Sequence, residues 1–421
     1  MYRYITLIFL LSFISAGHVI VLDGGTGDGS AWDNALDQIP ATLTRGDTVW
    51  IGDGDYNAVT FNDAPSGSTY IYIYKATESA HGTSAGWQAS YGDGVANFSG
   101  TMNFDTDYWI MEGVTGSKKT GHGFYITTTS CATHSKIVQV RYGADNVRIS
   151  HTEMEHCGES NEYNQDILYV AWSDDGGSDN LTISYCYLHD VNRQPVHLNW
   201  SQNFVFEHNY IEDHYNADEI GIHSSGFAAN NCGNANMTLR YNIFEDIEGT
   251  TIIGPKDSHQ QNIYIYGNIF YRSGADYYNT TNGAIANTGG DTNDSMYVYN
   301  NTFVDLLGPS GVNWLGDGVG NVCRNNLWVN CETVNLNNAG TQSNNEPNGS
   351  TNLFIDYAGD DFILSQSTGA GYILPSPFNQ DMNGNTRGAD GEFDIGAFEY
   401  QSTSGQQSQS GRIIKIGNIT Y

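Results

Sequence analysis

The sequence predicts an all-β solenoid, and three observations predict it. Seven segments superpose on one another, their apolar positions alternate with period two, and turn-forming residues fill the intervals. The segments are residues 147–156 (VRISHTEMEH), 181–190 (LTISYCYLHD), 204–213 (FVFEHNYIED), 237–246 (MTLRYNIFED), 263–272 (IYIYGNIFYR), 296–305 (MYVYNNTFVD) and 321–330 (NVCRNNLWVN). Their starts lie 34, 23, 33, 26, 33 and 25 residues apart. That is the spacing of stacked coils, each burying one face on the next.

Two columns of the repeat point inward. The third place reads Ile149, Ile183, Phe206, Leu239, Ile265, Val298 and Cys323, and the eighth reads Met154, Leu188, Ile211, Phe244, Phe270, Phe303 and Trp328. Within each segment the period is that of a strand, and no intervening stretch sustains a helical period. The sixth place is polar but equally regular, with Asn209, Asn242, Asn268, Asn301 and Asn326 following Thr152 and Cys186. A side-chain amide both donates and accepts, so asparagines stacked at a bend satisfy one another and the turn backbone. This column reads as scaffold rather than as a reactive site.

The ends and the composition agree. Residues 1–17 read as a signal peptide: Arg3 supplies charge, residues 5–14 the apolar core and Ser15-Ala16-Gly17 the small-residue exit. No other run is long enough to span a bilayer. Residues 18–400 form one repetitive unit, and 401–421 read as a polar linker (QSTSGQQSQS) with a short tail. Forty-nine glycines and eight prolines suit many short strands joined by tight turns. The six cysteines contain no CxxC pair, which argues against a zinc cluster, while their even number in an exported chain suits one or two disulfides. A balance of 47 acidic against 16 basic residues, net −31, argues strongly against nucleic acid as a partner.

The repeat resembles the right-handed parallel β-helix proteins, the pectate-lyase-like group, over roughly residues 19–400. The resemblance implies a single-stranded right-handed parallel β-helix. Residues 23–30 (DGGTGDGS), 32–43 and 45–56 (RGDTVWIGDGDY) are similar to that group's N-terminal cap and first rung, which implies a capping helix over 32–43. At the other end, residues 380–400 (QDMNGNTRGADGEFDIGAFEY) resemble the segment that closes many bacterial surface β-helices ahead of an anchor. An exported or cell-surface location follows as an expectation.

Chemistry on such a coil is carried by outward side chains, because packing closes the interior. The second strand of each coil is predicted over 195–199, 219–223, 251–256, 284–287, 312–314 and 334–336. Alternation then turns His197, Asn199, Glu219, His223 and Lys256 toward solvent, with Arg193, Asp213, His214 and Asp218 in the preceding turns. Such a concentration of His, Lys and Arg is notable in a chain with six lysines and ten arginines. A groove at this level would hold a polysaccharide, with Tyr277 and Tyr278 stacking on sugar rings.

Residues 218–223 (DEIGIH) and 242–256 (NIFEDIEGTTIIGPK) are similar to the alginate and chondroitin lyase branch of this fold. The resemblance implies Lys256 as general base and Asp218 or Glu219 as calcium ligand, and the lyase reading adds His197 or His223 as assistants. Thr251 stands where that branch carries a second acidic ligand, and Asn287 stands in place of its arginine, leaving Arg193 or Arg272 to neutralise the substrate. Asn199, Tyr277, Tyr278 and Asn287 complete the expected sugar contacts. Three readings stay open: a polysaccharide lyase acting by β-elimination on a uronate-containing glycan; a glycoside hydrolase with a carboxylate pair drawn from Asp213, Asp218, Glu219 and Asp257; and a non-catalytic glycan-binding or structural rod.

Overall fold

The computed structural model describes residues 17–128, 130–132, 134–158, 165–170, 177–215, 224–230, 235–249, 251–255, 261–273, 283–287, 295–314 and 320–401. The chain coils through three long sheets of 12, 11 and nine strands, here the first, second and third. A coil passes along the first sheet, round a tight bend into the second, and through a longer turn into the third. The strands are short because each spans only one side of the coil, as in Val147–Ser150, Thr152–Glu155 and Asp166–Val170.

The inward columns pair in register from coil to coil. Ile149, Ile183, Phe206, Leu239, Ile265, Val298 and Cys323 are successive partners in the first sheet. Met154 through Trp328 do the same in the second. None of these fourteen side chains is more than 1% exposed. Aromatic rings stack along the axis, with Phe244–Phe270, Phe270–Phe303 and Phe303–Trp328 centroids 5.1, 4.8 and 4.6 Å apart. A core built this way lengthens without deepening, which is how residues from Val21 to Ala339 share one continuous interior.

The bend between the first two sheets is made by a left-handed residue followed by the asparagine column. His151, Tyr185, His208, Tyr241, Asn300 and Asn325 all have φ between 50° and 59°, a conformation costing about 1 kcal/mol or more for a residue with a Cβ. The amide ladder behind them offsets that cost. Asn268 is typical. Its Oδ1 accepts from the backbone N–H and the Nδ2 of Asn242 at 2.9 and 3.0 Å, and its own Nδ2 donates to Leu239 O and to Asn301 Oδ1 at 2.9 and 3.0 Å. The same pattern continues from Asn209 to Asn326 and on to Asn345, one coil beyond the sequence repeat.

Several expectations need correction. Residues 32–43 form no capping helix: Trp32–Asn34 is a single 3₁₀ turn. Leu36 instead donates to Ile20 O and accepts from Leu22 N, so the segment is drawn out as an extended edge partner of the first strand, with Pro40 just beyond. The buried Trp32 ring packs on Trp87 and Tyr91. The third-sheet strand beside Gln194–Asn199 is Ser225–Asn230, whose Phe227 fills the core against Phe204 and Phe206; the strand expected over 219–223 lies outside the described residues. Residues 334–336 form no strand, and the third sheet ends at Val312–Trp314.

The last segment folds back over the coil. The hairpin of Phe354–Asp356 and Asp361–Leu364 sets Phe354, Phe362 and Leu364 against Ile269, Tyr271, Val304, Leu327 and Val329 on the outer face of the second sheet. Residues 380–400 knot around Arg387, whose buried guanidinium donates to Gly396 O and Ala397 O at 2.8 and 2.9 Å and lies 3.7 Å from Glu399. Cys131 and Cys157 form a disulfide, while Cys186 and Cys323 are buried free thiols pushed up to about 12 by burial.

Asn268→Ala strips partners from Leu239 O, from the Asn242 N–H and from Asn301, all buried. Each unsatisfied group costs about 1–3 kcal/mol, so a loss of roughly 3 kcal/mol or more is expected in urea unfolding. Asn262→Ala, in the exposed ladder where Asn262 Nδ2 donates to Asn236 Oδ1, should cost about 1 kcal/mol or less.

Candidate functional site

The third sheet carries a buried ionic cluster at the level of three adjacent coils. Its centre is Asp166, the first residue of its strand and fully buried. Parallel register places Lys136 beside it on one side and Gln194 on the other. Lys136 Nζ lies 2.6 Å from Asp166 Oδ2, Arg193 Nη1 3.3 Å from the carboxylate, and His197 Nδ1 3.3 Å from Oδ2. Tyr169 closes the cluster. Its ring lies 5.1 Å from the Lys136 ammonium and meets the His197 imidazole edge to face at 5.0 Å.

Burial alone would push the Asp166 carboxyl up. The hydrogen bond from His197 and the charges of His197, Lys136 and Arg193 outweigh it and hold the group at about 2. The Lys136 ammonium is pulled below its ordinary value by burial, which the ion pair with Asp166 only partly opposes. Two further histidines flank the cluster. His156 Nε2 contacts Ser135 Oγ at 3.1 Å, and His214 Nε2 meets the backbone oxygen of Arg193. Burial lowers both to about 4, so they are neutral near pH 7.

Lys136 and Arg193 thus converge on one carboxylate in a chain of net charge −31. The cluster's chemistry is attraction of an anion, and its outer edge is Arg193, whose side chain is 17% exposed and which touches Asp166 through one guanidinium nitrogen. A guanidinium with remaining donors is the group best shaped to take a second carboxylate.

Of the predicted site residues, the structure brings Arg193 and His197 together. His197 and Asn199 leave the core side of the strand as alternation requires, but they are 6% and 4% exposed, not solvated. His197 is covered by Tyr169 and tied to Asp166, and Asn199 Nδ2 donates to Val170 O at 2.9 Å. Thr251 sits in register with Ser225, and their hydroxyls bond at 3.1 Å. Arg272 lies on the second sheet, bonded to Glu245, so it cannot serve the third. The backbone of Asn287 pairs with that of Trp314 in the third sheet. Lys256, His223, Asp218, Glu219, Tyr277 and Tyr278 lie outside the described residues, as does Asp257; the strand that leads to Lys256 is described up to Pro255, paired with Ala229.

Sequence reasoning missed Lys136, Asp166 and Tyr169. The signal was present: KIVQV, DILYV and QPVHLN align as third-sheet strands, which places Lys136, Asp166 and Gln194 in one column and Gln139, Tyr169 and His197 in another.

A pectate-lyase-like parallel β-helix is the class this fold defines. Among solved structures it is similar to pectate lyase Pel9A, with a TM-score of 0.60 and 14% identity over 92% of this chain and 98% of that one. It is also similar to an alginate lyase from Paenibacillus sp. str. FPU-7 (TM-score 0.41, 14% identity, 78% and 99% covered) and to a PL6 family polysaccharide lyase from Pseudopedobacter saltans (TM-score 0.41, 13% identity, 91% and 97% covered). No family model matches the sequence, and no curated protein matches it. At these identities the likeness is one of fold.

Asp166→Ala should be strongly destabilising, by about 3–5 kcal/mol, because it leaves buried Lys136 and half-buried Arg193 without their carboxylate; urea unfolding measures it. The depressed histidines give a signed pH dependence. Between about 6.5 and 4 the unfolded chain binds protons that folded His156 and His214 refuse, so their contribution to stability is lost as pH falls. Glu399, pushed up to about 7 by burial, acts in the opposite sense. Comparing wild type with His156→Gln isolates one histidine: the variant's stability should change less steeply between pH 6.5 and 4, by roughly 1.4 kcal/mol per pH unit.

Proposed function

We propose that this chain is an exported polysaccharide lyase that cleaves a uronate-containing glycan by β-elimination along the flank of the third sheet. The observation that supports this most directly is the convergence of Arg193 and Lys136 on the single buried carboxylate of Asp166. A uronate carboxylate attracted to this cationic locus would be taken by Arg193, while Asp166 and His197 fix the guanidinium's position. The fold's similarity to a pectate lyase accords with a polyuronate substrate.

Removal of the proton on the carbon next to that carboxylate becomes feasible once its charge is neutralised. Lys256 is the proposed base. The electron pair released forms a carbon–carbon double bond, the glycosidic carbon–oxygen bond breaks, and the leaving oxygen takes up a proton, with His223 assisting. Calcium held by Asp218 or Glu219 would add charge neutralisation when bound. Asn287, Tyr277 and Tyr278 are the proposed sugar contacts.

Incubation with a panel of uronans, following absorbance of the unsaturated product, tests the reading. Lys256→Ala should abolish the signal. Arg193→Ala should lower kcat/KM by about a hundredfold, the loss of one charged hydrogen bond of roughly 2–3 kcal/mol, and chelation of calcium should abolish turnover. New reducing ends without unsaturation would establish hydrolysis instead, and glycan binding with no product on any substrate would leave a non-catalytic rod.

A further inference from the structure

The second sheet, on a different flank from the cluster around Asp166, carries its own outward column of titratable side chains. Glu153 and Glu155 project from one strand, Thr152–Glu155, and His189 lies opposite Glu155 on the next, Tyr187–His189. One ligand atom from each of Glu153, Glu155 and His189 lies within 4.8 Å of the others. We propose that these three residues form a binding site for a divalent transition metal of the zinc type.

One donor pair already stands at the separation a metal requires. His189 Nε2 lies 3.3 Å from Glu153 Oε1, close to the edge of about 3.3 Å between two ligands held tetrahedrally at roughly 2.0–2.1 Å from a zinc ion. The other imidazole nitrogen is occupied: His189 Nδ1 lies 2.7 Å from Asp190 Oδ2, the outer carboxylate that orients a metal-binding histidine and fixes its tautomer. The Tyr187 ring stacks on the imidazole at 4.1 Å, and Tyr125 donates to Glu155 Oε2 at 2.5 Å, so ring and carboxylate are held before any ion arrives. His189 is 7% exposed while both glutamates reach solvent, which leaves a path for entry.

Charge balance supplies an independent argument. In the following coils Glu212 and Glu245 are neutralised by Lys119, and Glu245 also by Arg272. Glu153 and Glu155 have no lysine or arginine partner among the described residues. The two carboxylates match a divalent ion's charge. A nitrogen ligand favours zinc-like metals over calcium, which takes oxygen donors.

The test uses the full chain, freed of metal with chelator and titrated with zinc or calcium, with bound metal counted by elemental analysis and zinc affinity measured by calorimetry. The expected result is one zinc per chain, not displaced by calcium at equal concentration. His189→Gln and the double variant E153Q/E155Q, with unchanged circular dichroism, should each weaken zinc at least tenfold. Absence of stoichiometric zinc, or the same affinity in both variants, would overturn the proposal and leave a simple imidazole–carboxylate ion pair. Uronan cleavage measured alongside reports on the third sheet alone, so failure there and failure here are told apart.

Discussion

Register between coils is the constraint on which everything else in this molecule depends, and the buried amide ladder from Asn209 to Asn345 is what sets it. A parallel sheet has no hairpins to fix its alignment, and a slip of one residue would turn every inward side chain outward. Here each asparagine bonds the backbone of the coil before it and the amide of the coil after it. The left-handed bend residues are held in place, and the two inward columns are kept aligned. Apolar burial supplies the driving force and rejects a slip of one residue, and the amide ladder adds directional bonds that pin each bend on its neighbours.

That fixed register converts residues distant in sequence into neighbours. Lys136, Asp166 and His197 come from three coils and meet within 3.3 Å because their strands are in phase. On the second sheet the same rule brings Glu153 and Glu155 beside His189. The two flanks do different things with their charge. The third sheet gathers cations around a buried acid, which suits an anionic ligand, whereas the second leaves acids and an imidazole for a cation. The C-terminal hairpin shields only the later part of the second sheet, against Tyr271, Val304 and Val329.

Much of the fold was legible because a solenoid writes its core as a repeat. Ile149 to Cys323 and Met154 to Trp328 fall in register as the spacing implies, and the asparagine column is structural. The capping helix was not legible: Trp32 to Leu43 has the composition of a short helix, but Leu36 finds a strand partner in Ile20 and Leu22. Nor was the strand at Ser225–Asn230, because nothing in SGFAAN marks Phe227 as a core side chain until it is set opposite Val196. At the site, Arg193 and His197 stood out as scarce residue types. Their organiser, Asp166, did not, since one aspartate among many in an acidic chain carries no mark until register sets it between a lysine and a histidine.

The central claim is that the third sheet's cationic edge is where an acidic sugar is held. A crystal structure of the protein with a short oligouronate tests it most directly. The account predicts a sugar carboxylate within hydrogen-bonding distance of Arg193, with the chain running across neighbouring coils of that sheet. An oligosaccharide seated on another flank, with Arg193 contacting only Asp166, would contradict it.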